Sequence, residues 1–431
     1  MFFEEGKAWG RSRRLISPNL VGHSLTAMLP VISKIGERFC AKLGDKADKG
    51  EIVKARNSFA RFTHDIIALA AFGLDMDSVS ATAERPARSF DAMATKMSAM
   101  ERLMMSPLDI WGWKLLPMLP WVRKAREESR NLNAVVQGAI DAVRLEAKSV
   151  AGAAAEGEMG IGGTLLRKII RATNAHGSSD RMLFSDQEVV SEATSLLSAP
   201  ILFSPIDLLL SVLTAGRRTS LFIAGTETTA LSLCWAMYYL SKHPEAVLRC
   251  RAEALKVAPS SDGMASTKEQ LSQLEFCSAV LKESLRLRTP ASFMAHHCTE
   301  DFTMKDGLVL EKGTGVFVLT RWVGVSEEFF TRGKDFVPER WIDAERDEAL
   351  LGENRKGSVI AHEAEAFLAL GHGPRICPGQ DMAKAEGAII IAAICARFDI
   401  SMAPGQADPP EEVTAFATGP KEFDMVLTRR T

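Results

Sequence analysis

Apolar residues recur at three- and four-residue steps along most of the chain, and this helical period limits the fold more than any other feature of the sequence. Amphipathic helices are predicted over Phe3–Leu15, Ser24–Ala47 and Ile52–Phe72, a charged one over Val122–Lys148, and apolar ones between Phe184 and Leu240. Two more are predicted over Leu271–Arg288 and Gln380–Phe398. Prolines at 107, 117 and 120 interrupt the pattern, and the Ala/Gly/Glu-rich run Ala151–Gly163 reads as a surface loop. Strand signals are scarce, in keeping with two tyrosines among 431 residues. Asp301–Thr314 alternates around Asp306-Gly307, which predicts a hairpin, and Phe423–Leu427 predicts an edge strand. The expected fold class is mainly α with small β-sheets.

Charge and cysteine usage narrow the function classes. Lys+Arg number 52 against 54 Asp+Glu, a formal charge of −2, so nothing global attracts nucleic acid. The cysteines number seven, are scattered, and never form a C-x-x-C pair, which argues against a disulfide framework or structural zinc and for a reducing compartment. The first residues hold no apolar run of signal-peptide or membrane-spanning length.

The segment richest in chemistry is Leu370-Gly-His-Gly-Pro-Arg-Ile-Cys-Pro-Gly379, a glycine-rich loop presenting one cysteine before a helix. A helix N-terminus favours thiolate over thiol, and Pro378 suits a first helical turn, where its missing N–H is not needed. Gly371, Gly373 and Gly379 let the backbone approach a large flat ligand, and Arg375 can pair with a carboxylate on it. By itself such a cysteine reads better as a buried thiol in a tight turn. Glu283 and Arg286 sit three apart on one helical face and can pair, a pattern common on solvated faces. Gly225, inside the apolar Ala224-Gly-Thr-Glu-Thr-Thr229, costs a helix about 1 kcal/mol relative to alanine, which asks for a close approach at that point, such as a bound ligand.

Together these segments resemble, in order, the motifs of the cytochrome P-450 superfamily. The Cys377 loop is similar to its haem-binding loop, and Lys282-Glu-Ser-Leu-Arg286 to its Glu-x-x-Arg. Phe336-Val-Pro-Glu-Arg-Trp341 is similar to the segment whose arginine, here Arg340, joins that pair. Ala224–Thr229 is similar to the oxygen-activation motif of the long central helix, and Trp9-Gly-Arg-Ser-Arg13 to the Trp-x-x-x-Arg of the third helix. The matches span Trp9 to Gly379 and imply a single haem-thiolate monooxygenase domain over 1–431.

The resemblance implies haem b (iron protoporphyrin IX) with Cys377 as the proximal iron ligand. Arg375, Trp9, Arg13 and either His296 or His297 would hold the propionates, and Ala224 and Gly225 would lie against the haem. Glu227 and Thr228 would relay protons to dioxygen. The implied reaction inserts one oxygen atom from O2 into a hydrophobic small molecule. Too few residues follow Cys377 for a flavin module, so electrons would come from an NADPH-dependent diflavin reductase. The microsomal style implies the cytosolic face of the endoplasmic reticulum membrane, tethered by an N-terminal anchor, with the anchor, first two helices and part of the first sheet missing here. Two rivals are an O2-independent isomerase or dehydratase, which often lacks the acid–hydroxyl pair, and an inactive haem-binding product of a faulty gene model.

Two departures stand out. Leu370 occupies the position seven before Cys377, where the family has Phe. Second, Ser191–Leu196 reads naturally into Leu221–Thr229, with Thr-Ser-Leu at 194–196 and again at 219–221. The intervening Leu197–Leu221 carries Pro200, Pro205 and Asp207, which exclude a spanning helix, and is expected to be an insert interrupting the central helix.

Overall fold

The computed structural model describes residues 6–82, 84–104, isolated positions between 120 and 145, and residues 220–342, 346–351, 363–414 and 417–430. Helix α1 covers Gly6–Ile16, α2 Gly22–Asp48, α3 Ala55–Phe72 and α4 Arg88–Met104. Later in the chain come α5 (Ser220–Lys242), α6 (Pro244–Val257), α7 (Glu275–Leu287) and α8 (Gln380–Arg397). Most of the helix expected at 122–148, the loop expected at 151–163 and the insert expected at 197–221, apart from its last two residues, lie outside the described residues.

Three helices form the interior because they are apolar on all sides rather than on one stripe. Along α8 every residue from Ala385 to Cys395 is buried; along α3 the same holds from Phe62 to Phe72, and along α5 from Thr229 to Leu233 and onward to Met237. Amphipathic α2, α6 and α7 pack around them, with Phe39 of α2 stacked on Phe62 at 4.9 Å between ring centroids. Each fully buried Ile of the Ile389–Ile391 run contributes on the order of 1.5–3 kcal/mol relative to an exposed one. Gly73, at φ 74°, ends α3 in the left-handed conformation and turns its N–H back to Ala68 and Leu69.

The sheets are small and antiparallel. Strands β1 (Val53–Lys54), β9 (Asp424–Arg429) and β6 (Phe398–Met402) form one sheet in the order β1-β9-β6, with Val53 opposite Met425 and Ile400 opposite Leu427. Strands β2 (Met294–His297) and β5 (Gly315–Val318) form a second, β3 (Phe302–Thr303) and β4 (Val309–Leu310) a third, and β7 (Glu412–Thr414) and β8 (Thr418–Pro420) a fourth. The β3–β4 hairpin turns at Asp306-Gly307 as its residues require, with Gly307 at φ 90°.

Four expectations are corrected. The tail strand is central, not an edge, because β1 and β6 pair with its two sides. Residues 53–54 of the expected 52–72 helix are extended, since β9 offers them ladder bonds, and Phe398 begins β6 rather than ending α8. The 271–288 helix is broken: a short helix, Lys268–Ser272, ends before α7 starts at Glu275. The break is fixed from outside, because the Glu253 carboxylate of α6 accepts the Phe276 and Cys277 N–H groups at 2.7 and 2.9 Å and caps the new helix.

Candidate functional site

The cysteine loop runs from Leu370 into α8. Gly371 and Gly373 adopt left-handed φ values of 81° and 67°, which explains two of its glycines. The Cys377 N–H donates to the Leu370 carbonyl at 2.8 Å, so the residue standing in place of Phe anchors the loop through its backbone. Pro378 is not in the first helical turn: Gly379 is the N-cap of α8 and Pro378 precedes it in a turn. Burial raises the Cys377 thiol above its ordinary range, against the pull of the Gly379 N–H and of the Arg13 and Lys384 charges toward thiolate.

Helix α1 lies against this loop. Trp9 and Arg13, one turn apart, share a face; Arg13 Nη1 donates to the Ile376 carbonyl at 2.5 Å, and the Arg375 guanidinium stacks 4.7 Å from the Trp9 ring centroid. In β2, Met294 Sδ comes within 3.8 Å of where a Gly371 side chain would begin, so the face of Met294 meets the loop. His296, two residues on, shares that face and His297 takes the other. The structure thus gathers Trp9, Arg13, Arg375 and Cys377, with His296 on the face of β2 that Met294 turns to the loop.

A second group lies on α5, which contacts α8. Thr228 Oγ1 donates to the Ala224 carbonyl at 2.6 Å. The buried Glu227 carboxylate is paired with Arg56 Nη2 of α3 at 3.0 Å, and Thr63 Oγ1 donates to the Thr226 carbonyl at 2.8 Å. The reason for Gly225 is corrected: a Cβ there would stand 3.1 Å from Ile67 Cγ1, so the close approach is that of helix α3 rather than of a ligand.

The third group is a buried ionic node. Glu283, Arg286 and Arg340 have fully buried side chains, unlike a solvated-face pair. Glu283 Oε1 accepts from Arg286 Nη2 at 2.6 Å, Val337 N at 3.0 Å and Arg340 Nε at 3.4 Å. Its Oε2 accepts from Arg286 Nε and Trp341 Nε1, each at 2.9 Å. Carbonyls of Gly324, Gly333 and Asp335 take the remaining Arg286 donors, so the buried charges are both paired and hydrogen-bonded. Arg56, Thr63 and Trp341 were not foreseen. Trp341 had a signal, its place at the end of the Arg340 motif; Arg56 had none.

Comparison with known proteins places the chain in a family. The family model for "Cytochrome P450" matches residues 1–200 and 215–427, breaking off inside the 197–221 segment. The Arabidopsis thaliana protein LUTEIN DEFICIENT 5, chloroplastic, is 26% identical over 99% of this chain and 64% of its own length. Human cytochrome P450 4F12 is 35% identical over 40% of this chain and 31% of its own. The crystal structure of the cytochrome P450DA heme domain superposes with TM-score 0.72 at 18% identity, covering 99% of this chain and 78% of that one. The chain therefore spans less than two thirds of the length of its Arabidopsis relative. The fold is that of a cytochrome P450 heme domain. The chain belongs to the cytochrome P450 family.

Proposed function

We propose that the chain is a haem b-dependent monooxygenase that inserts one atom of O2 into a hydrophobic small molecule, and that residues 1–431 act as a single domain. The observation that carries this reading is a thiol on the loop leading into α8, with Arg13 beside it and Arg375 stacked on Trp9. That donor set fits an iron porphyrin: one soft thiol ligand, and basic and aromatic groups for two propionates. When bound, the haem supplies dioxygen activation, which thiolate ligation favours. Cys377 would ligate the iron, and Arg13, Arg375, His296 and the Trp9 indole would orient the propionates. On α5, Thr228 would hold a proton at Oγ1 next to the Glu227 carboxylate, and Ala224 would lie against the bound haem. Glu283, Arg286 and Arg340 hold the framework that carries the loop.

The electron donor is taken to be an NADPH-dependent diflavin reductase. Helix α1 supports a docking face beside the loop, since it carries Lys7, Arg11, Arg13 and Arg14 and no acid. Among the described residues no single helix is long and apolar enough to cross a membrane; the proposed placement on the cytosolic face of the endoplasmic reticulum membrane rests on family resemblance. The test is the CO difference spectrum of the reduced, haem-loaded protein. A thiolate-type Soret band that Cys377→Ala abolishes supports the reading, and its absence from a haem-loaded wild-type chain overturns it.

A further inference from the structure

We infer that Trp341 is a positioning residue for the cysteine loop, coupling the buried Glu283 carboxylate to the chain segment that presents Leu370 to Cys377. The inference rests on Cys377 being the haem ligand. The Trp341 indole N–H donates to Glu283 Oε2 beside Arg286 Nε, each at 2.9 Å. On its other sides the ring meets Phe367 edge-on at 5.2 Å, 69° between planes, and Phe330 at 6.3 Å. The Lys282 ammonium lies 3.9 Å from its centroid and 5.3 Å from that of Phe367, bridging the two aromatics.

From Phe367 the connection to the ligand is short. The Ala369 carbonyl accepts from Thr289 Oγ1 at 3.3 Å, and the Leu370 carbonyl accepts the Cys377 N–H at 2.8 Å. The Gly371 N–H donates to Leu368 at 2.9 Å, closing the turn between them. With an aliphatic residue at 370, the aromatic contact joining this segment to the ionic node is Phe367 on Trp341. The indole is therefore tied at one end to a carboxylate that four other donors hold, and at the other to the stem of the loop.

The test uses the full-length, haem-loaded protein and two readouts, the share of the reduced CO complex with a thiolate-type Soret band and the midpoint potential. Trp341→Phe keeps a ring but removes the N–H; Phe367→Leu leaves every donor to Glu283 in place. Each should lower the ratio of thiolate-type to other CO complex roughly fivefold and raise the potential, as expected for a perturbation of order 1 kcal/mol at the ligand. Their combination should exceed the larger single effect by less than the sum, because both cut one connection. Loss of thermal stability with band share and potential unchanged in both variants would mean ordinary packing and overturns the proposal. Should Trp341→Phe fail to fold, Phe367→Leu alone decides. A wild-type chain without any thiolate band refutes the haem-ligand reading itself, which is a different result.

Discussion

Arg56 and Glu227 stand 171 positions apart and meet through Nη2 and Oε1 at 3.0 Å, while the same guanidinium reaches the Lys421 carbonyl at 3.3 Å. One side chain thus ties the start of α3 to the acid of α5 and to the segment before β9. With 28% of the Arg56 side chain exposed and 10% of the Glu227 side chain, the pair lies between a surface bridge and a buried one, so its coupling should be about 1–2 kcal/mol. A double-mutant cycle of Arg56→Leu and Glu227→Gln, read by urea unfolding, measures it; a coupling near zero would show that the contact is incidental.

The ionic node should tolerate far less. Glu283→Ala leaves the Arg286 and Arg340 guanidinium groups without a counter-charge in a fully buried setting, a loss of roughly 3–5 kcal/mol. Against the 5–15 kcal/mol stability of an ordinary domain, this is expected to abolish soluble expression or lower Tm sharply. Thermal unfolding of the variant checks it.

Gly225→Ala places a methyl 3.1 Å from Ile67 Cγ1. Overpacking costs about 1–3 kcal/mol, partly offset by the roughly 1 kcal/mol of helix propensity that alanine restores. The single variant should therefore be less stable than the parent, and Ile67→Ala should cost less in the Gly225→Ala background than alone. Equal costs in the two backgrounds, measured by denaturant midpoint, would refute the helix-to-helix explanation.

Acid sensitivity has an identifiable source in His64. Burial holds its pKa down to about 3, while Nε2 shares a hydrogen bond with Ser89 Oγ at 3.1 Å. A depressed folded-state pKa means the unfolded chain binds the extra proton first. Stability is then fully present above the ordinary histidine value near 6.5 and falls by about 1.4 kcal/mol per pH unit toward 3. His64→Gln should flatten unfolding free energy over that window relative to the parent, whatever its effect at neutral pH.

Helix positions were legible because period alone decides them: α2, predicted as Ser24–Ala47, spans Gly22–Asp48, and the Asp306-Gly307 turn forms where its residues demand. What escaped was everything settled by a distant partner. Glu283 and Arg286 look on paper like surface decoration, and only the approach of Val337, Arg340 and Trp341 makes them interior. The break before Glu275 is written in Glu253, on another helix. Whether His296 or His297 faces the loop depended on which face of β2 Met294 occupies.

The central position of β9 bears on how the protein is made. Val53 is translated long before its partner Met425, whereas β6 is made shortly before β9. The β1 strand must therefore wait, unpaired, while the whole helical part between them is synthesised. A nascent chain stalled before residue 424 can assemble its helices but cannot close this sheet, so chaperone dependence should concentrate at the β1 edge until β9 is made.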